Sequence, residues 1–442
     1  MQGAPGAVRF RNRHDAYHVE KTRRPERGTP DVITVQLAEE KESPLARQLP
    51  ESVESVASPI RVGLLILELS RGGAETALVR LATSLDRRRY LPVVYTMSSR
   101  PQDLQNSLAP ILANAGIEVV ELGVRGAVGI PAALLRLSRR LRRDRIDVLQ
   151  CFMFHANILG RFAGRLAGVP VVCAGVRVAE REAPKRLRLD CATRALVDAW
   201  VCVGESVAEF TRGTGIPSER VVSIPNGVED FAGEAAPAAG SRALNVRRRA
   251  ISVGRLTRQK GFDWFLERLS EFRASPSLSN WEFWIVGDGE ERESLERLCA
   301  EKELTGLVRF TGWRADAREL VASSDLFVLP SRWEGMPNAL LEASIAGVAA
   351  LCAGVEGVGE VLGGDEPEGK LQITTPGDGA EWRAKLERLL TDDALRSRLG
   401  WRNRVRALER FTVSATTRQY EELWRRLLAS KARVVSEPPP ET

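Results

Sequence analysis

Apolar and polar positions come in blocks along this chain, and the blocks outline its architecture. Residues 60–67, Ile-Arg-Val-Gly-Leu-Leu-Ile-Leu, form a nearly continuous apolar run of strand length. That is the pattern of a strand covered on both faces. A glycine-bearing loop follows, Ser70-Arg71-Gly72-Gly73-Ala74-Glu75, and then Leu78, Leu81, Ala82 and Leu85 recur at helical spacing. Further apolar runs at 91–97, 117–122, 146–152, 169–176 and 199–203 predict more strands, with helix-length segments between them. Strands that alternate with helices pair in parallel, because each crossover packs its helix back on the sheet.

The rhythm then resets. Residues 231–241 are rich in Ala, Gly and Pro and read as a linker. Beyond them, strands are predicted at 249–253, 281–286, 308–311, 325–330 and 348–352, and helices at 262–272, 292–303, 316–323 and 338–346. Three closing helices are predicted at 378–390, 393–411 and 414–429, with a loose tail over 433–442. Residues 1–58 carry Arg, Glu, Pro and Ser without apolar periodicity and are expected to be a disordered extension. The expected fold class is therefore α/β: two Rossmann-like, doubly wound domains, 59–235 and 236–411, facing a central cleft. The segment 412–442 is expected to add a terminal helix that packs back on the first domain. Ligands of such sheets bind outside the carboxyl ends of the strands.

Composition narrows the function. No apolar stretch approaches the ~18 residues of a membrane span, and the amino terminus lacks an apolar signal core. A cytoplasmic protein is expected. The six cysteines form no Cys-x-x-Cys pair and sit among apolar neighbours, as buried thiols of a reducing compartment do. With three histidines in the chain, no zinc cluster is expected. The net charge is +6, and basic residues crowd 136–145 and 181–194. These clusters read first as solvated helix faces and second as attraction to an anionic membrane surface or a phosphorylated acceptor. No aromatic residues interleave them in the manner of a single-strand platform, so nucleic acid is not expected as a partner.

Two loops of the second half carry the chemistry. Val253-Gly254-Arg255-Leu256-Thr257-Arg258-Gln259-Lys260-Gly261 joins a strand to a helix. It sets a guanidinium, Arg255, and an ammonium, Lys260, beside a helix amino terminus, a combination suited to a diphosphate. Pro330-Ser331-Arg332-Trp333-Glu334-Gly335-Met336-Pro337-Asn338-Ala339-Leu340-Leu341-Glu342 again runs from strand through loop into helix. Pro337 suits a first helical turn. Gly335 and Met336 offer backbone N–H groups, and Glu342 lies about one turn beyond Asn338, where a carboxylate can meet a ribose. Read alone, either acid is also compatible with an ordinary surface position.

These residues resemble glycosyltransferase family 4, whose glutamate pair stands here as Glu334 and Glu342 and whose phosphate loop stands as residues 253–261. Ile224-Pro225-Asn226-Gly227-Val228, Val286-Gly287-Asp288-Gly289 and Phe310-Thr311-Gly312-Trp313 fit in the same order. The resemblance implies the GT-B fold and a retaining enzyme that takes a hexose-type sugar from a nucleotide-sugar, with a UDP-sugar favoured. It implies donor contacts from Gly254, Arg255, Lys260, Gly287, Trp313, Arg314, Glu334, Gly335, Met336, Pro337, Asn338 and Glu342. Glu334, His155, Lys260 and Arg255 are the catalytic candidates. Gly72, Gly73 and Arg177 form an acceptor or phosphate loop. His155 is placed after a strand thought to end at Phe154. No convincing Asp-x-Asp loop is present, so no metal is expected. The expected partners are the nucleotide-sugar and a sugar or lipid-linked acceptor of the cell envelope, with possible contact at the inner face of the plasma membrane. Residues 354–360, Gly-Val-Glu-Gly-Val-Gly-Glu, depart from the family's Gly-Gly pattern before Glu360, which leaves donor-sugar contacts open. Two rivals are a nucleotide-sugar epimerase of the same fold and a non-catalytic nucleotide-sugar-binding protein.

Overall fold

The structure, a computed structural model, describes residues 58–99, 107–124, 126–181, 183–231 and 247–436. Apart from Ser58, the extension expected at 1–58 lies outside the described residues, as does the expected linker beyond Phe231 and the tail beyond Ser436.

The first lobe runs β1 (Ile60–Ile66), α1 (Gly73–Ser84), β2 (Tyr90–Thr96), α2 (Ala109–Asn114), β3 (Glu118–Glu121), α3 (Ile130–Arg143), β4 (Val148–Phe152), α4 (Phe154–Ala167), β5 (Val171–Val176), α5 (Pro184–Ala192), β6 (Ala199–Cys202), α6 (Glu205–Gly213) and β7 (Val221–Ser223). The second runs β8 (Arg248–Val253), α7 (Phe262–Ser270), β9 (Trp281–Val286), α8 (Arg292–Glu301), β10 (Val308–Gly312), α9 (Ala317–Ala322), β11 (Leu326–Leu329), α10 (Asn338–Ile345), β12 (Ala350–Ala353), α11 (Val358–Leu362), α12 (Pro367–Lys370), β13 (Ile373–Thr374), α13 (Gly379–Thr391) and α14 (Asp393–Arg410). The last helix, α15, spans Val413–Ser436.

The α/β expectation holds, with two doubly wound sheets. Their strand orders are β3-β2-β1-β4-β5-β6-β7 and β10-β9-β8-β11-β12-β13. The ladders are parallel, with Val62 beside Val148 in the first and Phe327 beside Ile251 in the second. Strands β4, β6, β11 and β12 are buried along their whole length, which is why they read as unbroken apolar runs. In each sheet the order reverses between the first strand and the fourth. The loops after β1 and β4, and after β8 and β11, therefore flank a topological switch point.

Four local expectations shift. Strand β4 stops at Phe152, so His155 lies in the first turn of α4 and not after a strand ending at Phe154. Helix α7 ends at Ser270, short of 272. Pro337 takes the N-cap position of α10, with φ −74° and ψ 110°, one place ahead of the first turn. Helix α15 continues through 433–436, which were read as tail, because its apolar positions keep helical spacing past Ala429.

Each lobe has its own apolar core, and a further cluster joins them. Val203 and Val207 of the first lobe belong to the same buried cluster as Met336, Leu340 and Val358 of the second. Helix α15 packs on the first lobe, where Tyr420, Leu423 and Trp424 join Leu78, Leu81 and Tyr90. The Tyr90 and Trp424 ring centroids lie 6.1 Å apart. The chain passes between the lobes at two points that touch. Val228 N–H donates to Phe411 O at 2.7 Å, and Val413 N–H donates to Val228 O at 3.3 Å.

Trp424 is completely buried. Trp424→Ala should remove about 3–5 kcal/mol from the stability of the first lobe, read as a lower denaturant midpoint in the tryptophan-independent far-ultraviolet signal.

Candidate functional site

The loop after β8 is shaped by backbone contacts. Gly254 N–H donates to Val286 O at 3.0 Å, and Leu256 N–H to Asp288 O at 2.9 Å. Gly287 has φ +142°, and a Cβ there would lie 1.9 Å from Gly254 O. Only glycine lets these two loops stack so closely. The loop presents Arg255 to solvent with no ion pair or hydrogen bond of its side chain among the described residues. Lys260 turns back along Gly254, and a Cβ at Gly254 would meet its Cε at 3.0 Å.

The loop after β11 meets it. Lys260 Nζ donates to Glu334 Oε1 at 2.6 Å, and Ser331 Oγ donates to the same oxygen at 2.7 Å. The Glu334 side chain is 7% exposed and that of Lys260 17%. An acid so deeply placed needs such partners. Gln259 Nε2 donates to Trp333 O at 2.9 Å, and Arg332 N–H donates to Gln259 O at 2.8 Å, so the two loops are tied to each other. Arg332 itself turns outward to Asp263.

Glu342, on α10, does not join this pair. Its Oε1 accepts from Arg80 Nη2 of α1 at 2.8 Å and from Arg318 Nε of α9 at 3.2 Å. Trp313 is 43% exposed and lies under the guanidinium of Arg71, 5.6 Å from the ring centroid. Arg314 is held by Asp316 at the surface.

From the first lobe, Gly72 and Gly73 begin α1, whose third residue is Glu75. A Cβ at Gly72 would lie 2.2 Å from Glu75 Oε2, so the acid folds back over the helix start, where the partial positive charge suits it. Burial raises the Glu75 pKa; its own N–H and then Arg255 and Arg177 oppose that rise. Arg177, at the end of β5, donates to Asn226 Oδ1. Burial lowers its pKa, against the influence of Tyr420 and Glu75. Burial pushes the Tyr420 hydroxyl up to about 12. His155 is exposed, packs edge-on to Phe154 at 5.5 Å, and makes no hydrogen bond across the lobes among the described residues. Next to it Met153 has φ +71°, a strained conformation for a side-chain-bearing residue. Met153 lines an open pocket at the carboxyl ends of β4 to β6, with Arg177, Leu187, Asp190, Trp200 and Phe210. Among the described residues no three His, Cys, Asp or Glu side chains gather as a metal-binding group.

The two sets of loops touch. A Cβ at Gly335 would lie 1.7 Å from Arg177 O. Asn338 Nδ2 donates to Gly73 O at 3.0 Å. Asn226 donates from Nδ2 to Asn338 Oδ1 at 2.8 Å, and from its N–H to Met336 Sδ at 3.3 Å. Glu360 accepts from the N–H groups of Glu205 and Ser206, at 2.9 and 3.0 Å, and from Ser206 Oγ at 3.0 Å. It thus sits on the amino terminus of α6, where a carboxylate satisfies unpaired N–H groups. Arg181 pairs with Glu356 at 3.0 Å. Arg80, Glu75, Asn226 and the contact made by Glu360 were not assigned from sequence. The sequence signals for them are that Glu75 and Asn226 belong to the motifs at 72–75 and 224–228 and that Glu360 closes the segment 354–360.

Two variants test this geometry. Gly335→Ala should force the lobes apart, giving a larger radius of gyration in solution scattering and a loss of activity of roughly 100-fold, as small misplacements of reacting groups do. Glu75→Gln should raise the melting temperature at pH 7. A carboxyl whose folded pKa is raised stabilises the fold only below its unfolded value and loses that contribution as pH rises through the folded one. The gain should therefore vanish near pH 4 in a pH series of melting curves.

Two family profiles match the chain, one within each lobe. The profile of Glycosyltransferase Family 4 matches residues 71–230, and that of Glycosyl transferases group 1 matches residues 247–392. The chain is 31% identical over 252 residues to the UDP-Gal:alpha-D-GlcNAc-diphosphoundecaprenol alpha-1,3-galactosyltransferase of Escherichia coli, covering 51% of this chain and 62% of that protein. It is 27% identical over 379 residues to the lipopolysaccharide core biosynthesis glycosyltransferase LpsD of Rhizobium meliloti, covering 82% and 97%. The chain thus spans less than two thirds of the first relative and nearly all of the second. The crystal structure of Anabaena HepE in complex with UDP and glucose superposes with a TM-score of 0.70 at 19% identity, over 83% of this chain and 100% of that one. Both lobes are matched in chain order and the facing sheets share one architecture, so this chain belongs to glycosyltransferase family 4 and has the GT-B fold.

Proposed function

We propose that the protein is a retaining, metal-independent glycosyltransferase that moves a hexose-type sugar from a nucleotide-sugar to an acceptor hydroxyl in cell-envelope polysaccharide or glycolipid synthesis. The observation that carries this reading is the Lys260–Glu334 pair at 2.6 Å beside the unpaired Arg255, all at the switch point of the second sheet. Lys260 has three N–H donors and gives one to Glu334. The remaining donors and the Arg255 fork suit the two phosphates of a leaving diphosphate, whose growing charge they would meet without a metal. Glu334 stands beside the donor sugar in this arrangement. Glu342 takes the ribose, and Trp313 and Arg314 border the base. Gly254, Gly287, Gly335, Met336, Pro337 and Asn338 shape the backbone around the donor. A hydroxyl that attacks from the face the diphosphate leaves passes its proton to the departing phosphate oxygen and retains configuration.

The acceptor side is the first lobe, with Gly72, Gly73, His155 and Arg177 at its strand ends. The E. coli relative is named for a diphosphoundecaprenol-linked substrate and the Rhizobium relative for lipopolysaccharide core synthesis. Both names describe sugar transfer, which favours transfer over epimerisation or mere binding. A UDP-sugar is the favoured donor and a sugar or lipid-linked glycan the acceptor. The proposed location is the cytoplasm, peripheral at the inner face of the plasma membrane. Among the described residues no helix is long and apolar enough to cross a membrane. Leu135, Phe162, Leu166 and Leu189 are each at least 40% exposed on α3, α4 and α5, beside exposed Arg136, Arg139, Arg142 and Arg188. Apolar and cationic side chains together suit an anionic bilayer surface.

A panel of UDP-, GDP- and ADP-sugars should reveal the donor as the one that raises the melting temperature. With that donor, Lys260→Ala should slow transfer at least ~100-fold without loss of fold. Lys260→Gln, which keeps a donor for Glu334, separates any stability change from the chemical one. Near-normal turnover in both would overturn the assignment. Activity should persist in a chelator, and donor consumption without acceptor would point to an epimerase instead.

A further inference from the structure

Arg80 lies on α1 in the first lobe, yet its guanidinium ends in the second. The side chain is 6% exposed. Nη1 donates to Gly227 O at 2.9 Å, on the segment that leaves the first lobe, and Nη2 donates to Glu342 Oε1 at 2.8 Å. Arg318 Nε reaches the same Oε1 at 3.2 Å, while its Nη1 is anchored by Glu229 at 2.9 Å. Two guanidinium groups thus converge on one oxygen of Glu342, and Oε2 accepts no hydrogen bond among the described residues. A carboxylate on a flexible stem has several rotamers, and fixing one oxygen from two sides leaves the other at a defined place with its lone pairs available. One of the two clamps comes from the opposite lobe, so that placement is complete only when the lobes are together.

We propose that Arg80 is a positioning residue for nucleotide recognition: by holding Oε1 of Glu342 across the cleft, it aims Oε2 at the ribose hydroxyls and makes ribose recognition depend on lobe closure. The inference rests on the reading of Glu342 as the ribose acid and adds a residue that never touches the nucleotide. Removing Arg80 leaves Arg318 as the sole clamp. The ribose contact then weakens, while contacts to the phosphates, made by Arg255 and Lys260, do not.

The test is calorimetric and needs no turnover. Of UDP, GDP and ADP, the one the unmodified protein binds best is compared with its 2′,3′-dideoxy counterpart. Arg80→Ala should weaken the ribonucleotide roughly 10-fold, the scale of one charge-assisted contact, and leave the dideoxynucleotide unchanged. Arg80→Lys keeps a buried charge but offers a single ammonium for two acceptors. It should show the same selective loss at smaller size, and it serves if the alanine variant does not fold. Equal loss for both nucleotides would mean a structural role, no loss would mean no role, and tighter binding would mean that Arg80 competes with the ribose; each overturns the proposal. Glu342→Gln separates the underlying reading. If it discriminates between the two nucleotides and the Arg80 variants do not, only the positioning role fails. If it treats both alike, or if none of the three diphosphates binds, the donor-site reading fails with it.

Discussion

The peptide of Gly335 packs so tightly on the carbonyl of Arg177 that a methyl group has no room between them. That approach sets the geometry of the cleft. It brings the loop after β11 against the end of β5, and the other contacts across the lobes follow from it: Asn338 to Gly73, Asn226 to Asn338 and Met336, Arg80 to Glu342. Gly357 stacks in turn on Gly335, where a Cβ would lie 2.3 Å from its carbonyl. The close approach is a matter of sterics, and the polar contacts around it give it direction.

Charge is distributed unevenly across this junction. Glu334 and Glu342 are both spoken for, one by Lys260 and Ser331, the other by two arginines. Arg255 is not. It favours the carboxylate of Glu75 in the first lobe electrostatically, without an ion pair. Glu334 and Glu342 are thus matched by cations, and Arg255 stands exposed beside them. The first lobe contributes a different environment, with a half-buried Arg177 and a largely apolar pocket beside it.

Much of the fold was legible in the sequence because parallel strands covered on both faces leave unbroken apolar runs, and β4, β6 and β12 are such strands. The boundary at Phe152 slipped because Met153 takes φ +71°, which an apolar run does not announce, and that at Pro337 because its ψ of 110° keeps it outside the helix its fixed φ would suit. The motifs also showed which residues stand at strand ends, since a loop between strand and helix in an α/β unit has one place to go. What sequence could not show was partnership. Arg80 and Glu342 are 262 positions apart, and Glu360 lies 155 positions from the helix start it covers. Arg80 in particular has the spacing of an ordinary amphipathic helix residue. Only the closing of one lobe on the other reveals that it faces a carboxylate.

The two strands of chain that pass between the lobes lie side by side, tied by Val228 to Phe411 and Val413. Adjacent, mutually bonded crossings keep the two lobes connected at one place. Helix α15 then carries the chain onto the first lobe, with Trp424 sunk in its core, while Arg318 and Arg404 of the second lobe hold Glu229 and Asp230, so the crossing is fastened on both sides. A swing of one lobe on the other has to be absorbed by the few residues around these crossings, where a hinge concentrates its backbone change.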